Sequence, residues 1–140
     1  MRLKTIISFL LLFVLGVGTI FANDFREIKQ IVLKKDEQTK ILVKYATSEK
    51  LFKFRWTLYK NRGLVIHRSY DRYVAQNILY LNHKNQSFRI PIKVWGVVNH
   101  NGPFLLVKFK EFKYETKEAV FELLLSDEKE QVKLKYLNEA

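Results

Sequence analysis

The dominant pattern after Lys40 is alternation, with β-branched and aromatic residues at every second place and polar residues between them. A period of two fits a half-buried strand, whose successive side chains point to opposite faces. Thr39–Ala46 sets Ile41, Val43 and Tyr45 on one side, Leu51–Lys60 does the same with Phe52, Phe54, Trp56 and Leu58, and Leu64–Tyr70 returns. Further strands are predicted over Gln76–Asn82, Phe88–Val98, Phe104–Tyr114, Ala119–Leu125 and Gln131–Leu137. Turn-forming residues separate them: Asn61-Arg62-Gly63, the stretch from Asn82 to Ser87, Asn99 to Pro103, and Ser126 to Lys129. About eight short strands predict an all-β fold, an antiparallel, immunoglobulin-like β-sandwich. A small β-barrel is the alternative, because alternation is the same in a closed sheet.

Two segments admit a second reading. Asp24-Phe25-Arg26-Glu27 has the form of a capping box ahead of Ile28, Ile31 and Val32, so a first helix competes with a first strand, and Thr116–Leu125 also tolerates a helix. One hairpin can be registered. With Asn61-Arg62-Gly63 as a three-residue loop and Gly63 left-handed, Leu58 faces Ile66 and Phe54 faces Tyr70. Tyr59 with Val65, Thr57 with His67, Arg55 with Ser69 and Lys53 with Asp71 then form a polar outer face. Trp56 is expected in the core with Arg68 across from it. Pro91 cannot donate to a ladder, which predicts an edge or a bulge for its strand.

The N-terminus reads as an export signal. Arg2 and Lys4 precede an apolar run from Ile6 to Leu15 broken only by Ser8, and small Ala22 precedes the first charged residues. The expected organisation is a signal peptide over residues 1–22 and a single sandwich domain over 23–140, periplasmic or secreted. Ile20 is bulkier than a peptidase prefers, and Thr5–Ala22 has 18 residues, enough to span a bilayer. The alternative is therefore a domain anchored in the inner membrane by an uncleaved segment and facing the periplasm. The chain has no cysteine, which removes lipidation at a cysteine, disulfides and thiolate metal sites.

Charge is the remaining lead. Setting aside Arg2 and Lys4 leaves 23 basic against 14 acidic residues, a net of +9. Between Lys50 and Lys110 there are twelve Lys or Arg and one acid, Asp71, whereas Glu111–Ala140 has eight acids against five lysines. The central strands thus carry a basic, tyrosine-bearing block whose expected binding face comprises Lys53, Arg55, Tyr59, Lys60 and His67. Such a face suits an anionic envelope component (lipid A, a phospholipid headgroup or an acidic glycan) or an envelope protein. Nucleic acid suits the charge too, but export and the lack of any nucleic-acid motif argue against it.

The sequence supplies little for catalysis. His67, His83 and His100 lack metal-chelating spacing, so no metal or other cofactor is expected. Ser69 and Asp71 lie near His67, yet residues two apart on a strand are about 6.5 Å apart, beyond hydrogen-bond reach for a nucleophile and its base. There is no Gly-rich phosphate loop or nucleophile elbow. The expectation is a non-enzymatic binding domain. The alternatives are a small periplasmic enzyme with a non-local site and a structural subunit completed by strand exchange.

Overall fold

The computed structural model describes residues 25–92 and 102–138, and the alternating segments become nine strands. They are β1 (Glu27–Lys34), β2 (Thr39–Tyr45), β3 (Ser48–Lys60), β4 (Gly63–Tyr70), β5 (Tyr73–Tyr80), β6 (Ser87–Pro91), β7 (Phe104–Lys113), β8 (Glu118–Ser126) and β9 (Val132–Tyr136). Two antiparallel sheets pack face to face, one ordered β1-β8-β7-β6 and the other β5-β4-β3-β2-β9. The architecture is an open sandwich and not a barrel. The immunoglobulin likeness stops at the two layers. Here β2 to β5 and β6 to β8 are plain meanders, and the two end strands change sheets, β1 lying beside β8 and β9 beside β2. The immunoglobulin order instead interleaves distant strands as ABED and CFG.

Both ambiguous segments are strands. Residues 27–34 pair with 118–125 without interruption, so each satisfies the other's backbone along eight residues. Val120 and Leu124 lie on the outer side of β8 but stay buried. As a central strand, β8 has Val32 and Ile28 beside these residues on one flank and Leu106 beside Leu124 on the other. This explains an apolar run that alternation alone does not. Asp24, the proposed capping residue, lies outside the described residues, as do the signal segment and the part of the predicted Phe88–Val98 strand beyond Ile92. Pro91 ends β6, which is an edge strand.

The core is built on rings. Phe52 and Phe54 of β3 stack at 5.5 Å and meet Phe88 and Phe121 of the opposite sheet edge-on. Trp56 is buried, and its indole N–H donates to the Leu33 carbonyl at 2.8 Å, fastening β3 to β1 across the layers. At the corner after β8 the buried Asp127 carboxylate accepts from Arg26 Nη1 at 2.8 Å and from the Val132 N–H at 2.7 Å. That latch ties the start of β1, the end of β8 and the start of β9. Tyr136 adds a second tie, its hydroxyl bonding Glu27 at 3.1 Å and its ring lying under Lys29 at 3.7 Å.

The β3–β4 register differs from the expected one. The loop has two residues, Asn61 and Arg62, both left-handed at φ 53° and 66°, and Lys60 pairs with Gly63. Such type I′ turns match the twist of the strands they join. Gly63 is an ordinary strand residue, glycine because a Cβ there would lie 3.0 Å from the Tyr80 ring and 3.1 Å from Ile78. A bulge between Trp56 and Leu58 then resets the pairing, so Trp56 faces Ile66, Arg55 faces His67, Phe54 faces Arg68 and Phe52 faces Tyr70. Arg68 therefore lies across from Phe54 rather than Trp56, with its guanidinium 5.0 Å from the Phe88 ring.

Candidate functional site: the outer face of the five-stranded sheet

Parity along each strand decides which side chains face out. On β3, Phe52, Phe54 and Trp56 point inward, so Lys53 and Arg55 point outward. The bulge at Thr57 shifts the parity by one residue. Leu58 and Lys60, which unbroken alternation sets on the inner side with Phe54 and Trp56, come outside instead, Leu58 being 48% exposed, while Tyr59 turns toward the core margin. His67, paired with Arg55, lies on the outer face, where its Nε2 shares a hydrogen bond with Thr57 Oγ1 at 3.1 Å. Of the five residues expected on the binding face, the fold thus brings Lys53, Arg55, Lys60 and His67 together and removes Tyr59.

A matching event on β7 explains where Tyr59 goes. A bulge between Phe109 and Glu111 turns Phe112 inward, and the two rings stack at 4.0 Å with 23° between their planes. Trp56 and Tyr114 meet the same Phe112 ring edge-on. The Tyr59 and Tyr114 hydroxyls share a 3.1 Å hydrogen bond. Burial, helped by this bond, pushes the Tyr59 phenol up to about 12. Tyr70 is likewise raised to about 12, by burial and then by the carboxylate of Asp71. Burial lowers the Arg68 guanidinium from its ordinary value, and its Nε donates to Asn77 at 2.6 Å.

The same parity adds four cations that segment-wise charge counting does not associate with the central block. Lys40 and Lys44 alternate with buried Ile41 and Val43 on β2, and Lys133 and Lys135 alternate with Val132 and Leu134 on β9. Strand pairing sets Lys40 beside Lys53, and Lys44 beside Lys133. The outer face therefore presents Lys40, Lys44, Lys53, Arg55, Lys60, Lys133 and Lys135 across three adjacent strands. Glu49, opposite Lys44, is the acid among them. Lys40 and Lys53, Lys53 and Arg55, Lys44 and Lys133, and Lys133 and Lys135 are about 5 to 7 Å apart, the pitch between strands and between alternate residues, while Lys60 sits apart at the hairpin end of β3. The other sheet's outer face is mixed, with Lys108 across from Glu122 and Lys113 across from Glu118.

Other chemistry is sparse. Asp71, once grouped with Ser69 and His67, is paired with Lys50 at 3.0 Å. His83 Nδ1 accepts from the Asn85 N–H at 3.2 Å, and His100 lies outside the described residues. Among the described residues no three His, Asp or Glu gather as a metal site would require. A polar depression of about 490 Å³ lies between Tyr45, Arg89, Phe104 and the Ser126–Lys129 corner. The Asp127 carboxylate there is committed to Arg26 and Val132. No protein-family model, curated protein or solved structure matches this chain.

Proposed function

We propose that this protein is an exported, non-enzymatic envelope domain that binds a phosphate-bearing lipid surface, lipid A or an acidic phospholipid, through the outer face of its five-stranded sheet. The observation that carries this reading is the gathering of seven Lys and Arg side chains, from β2, β3 and β9, onto one sheet face with a single acid between them. An open lattice of cations suits a repeating array of headgroups better than a single small molecule, which favours a concave, mostly apolar site. Leu42 and Leu51, paired in the middle of the lattice and half-buried, add apolar surface that can rest against the headgroup layer. The proposed export signal at residues 1–22 supplies the compartment in which such a surface is met.

Each Lys or Arg near an anionic membrane contributes about 1 kcal/mol. Binding to acidic vesicles should therefore fall about a hundredfold when Lys53, Arg55 and Lys133 are changed together to Gln. A charge-matched control with Lys34, Lys108 and Lys113 changed to Gln should bind like the unmodified protein. Both proteins must carry the same N-terminus, so that any tether cancels. Equal loss in the two variants, or equal binding to acidic and zwitterionic vesicles, would refute the face.

A further inference from the structure

The four sheet edges are not alike. Edge β6 carries Arg89 and Pro91, β9 is five residues long with Lys133 and Lys135, and β1 carries Glu27, Lys29 and Lys34. Shortness, charge and proline are the usual guards against strand addition. Edge β5 has none of them. Its eight residues, Tyr73 to Tyr80, include no charge and no proline, and Tyr73 and Val74 are each 79% exposed and Ile78 46%.

The backbone of β5 offers a defined window. Tyr70 and Tyr73 flank the two-residue turn Asp71-Arg72, so odd-numbered residues of β5 bond to β4 and even-numbered ones point to the edge. Tyr80 follows the rule, its N–H reaching outward to the Asn85 carbonyl at 3.0 Å. That bond closes one end of the edge and the turn closes the other. Val74, Gln76 and Ile78 remain, with no edge-side partner among the described residues.

We infer that β5 pairs antiparallel with β5 of a second copy of this chain, about a two-fold axis through Gln76. In that register Val74 of each copy faces Ile78 of the other, Gln76 faces Gln76, and three residue pairs each exchange two main-chain hydrogen bonds. Arg72 of each copy falls beside Tyr80 of the other. A register centred on Asn77 would call on the Tyr80 N–H, which is already engaged, so the Gln76 register is the one that uses every open group. Electrostatics permit it in spite of a formal net charge of +11. The nearest cation of the basic face, on β3, is two strands from the edge, which puts about 24 Å between the basic strands of the two copies, well beyond the ~8 Å screening length. The pairing does not depend on what the basic face binds.

Sedimentation equilibrium of the purified full chain should show a concentration-dependent dimer. Val74→Lys with Ile78→Lys, both at exposed positions, should weaken it at least tenfold, and Gln76→Pro should do the same, because the lost N–H is not one that β4 uses. In this cysteine-free chain Gln76→Cys should oxidise to a linked dimer, since directly opposed strand residues lie about 5.5 Å apart, whereas Lys44→Cys, exposed on the same sheet, should not. A monomer up to about 1 mM, or a dimer that the lysine pair leaves intact and Gln76→Cys fails to link, would overturn the assignment.

Discussion

The Tyr59 ring lies flat on Phe112, with its hydroxyl held by Tyr114, and this placement has a pH signature. Tyr59 and Tyr70 keep their protons to about pH 12 in the folded chain, against 10.0 for an unperturbed phenol. Below pH 10 the phenols are neutral in both states and the stabilisation is fully present. From about 10 to about 12 the unfolded chain releases protons that the folded chain retains, so stability falls through that window. Denaturation midpoints measured across this range should drop more steeply for the unmodified protein than for Tyr70→Phe. Equal slopes would mean that Tyr70 titrates normally. Tyr59 also marks where residue-level reading failed: between Trp56 and Tyr59 the apolar pattern is unbroken, yet one unpaired residue reverses the side to which everything after it points.

At the scale of elements, strand positions were legible because burying one face of a sheet forces a period of two, and the predicted segments from Thr39 to Leu137 coincide with β2 to β9 to within a few residues over the described chain. Registers were not legible to the same degree. A three-residue loop at Asn61 follows from giving the left-handed position to the glycine, whereas Asn61 and Arg62 occupy it. A left-handed arginine costs about 1–2 kcal/mol, offset for glycine by its greater freedom when unfolded. Arg62→Gly should therefore stabilise the protein by about 0.5–1 kcal/mol, read as a higher urea midpoint with an unchanged slope. A lower midpoint would contradict the type I′ assignment.

For the whole molecule, the excess of cations is visible in the sequence as a property of one stretch of chain, and the fold redistributes it by sheet. Lys133 and Lys135 belong to a segment that is net acidic in sequence, yet they join the basic face because β9 crosses back beside β2. Tertiary pairing of this kind leaves no local trace. The crossing itself depends on Asp127. Asp127→Ala should cost about 2–3 kcal/mol by leaving the Val132 N–H unsatisfied and Arg26 with the Val132 carbonyl in place of its carboxylate partner, while Asp127→Asn, which keeps an acceptor, should cost about half as much. Thermal unfolding separates the two, and equal effects would mean that only the charge matters.

The exchange of end strands between sheets also sets the order of assembly. Glu27 meets Leu125 and Ile41 meets Tyr136, contacts spanning 98 and 95 residues, and pairings that distant close late. The two meanders can form as soon as they emerge, but neither sheet gains its last strand, and Asp127 has nothing to latch, until almost the whole chain is free. A polypeptide built this way can shape its two meanders early, yet it closes both sheets only after its final strand arrives, so losing the last dozen residues would cost the sandwich an edge strand and not merely a tail.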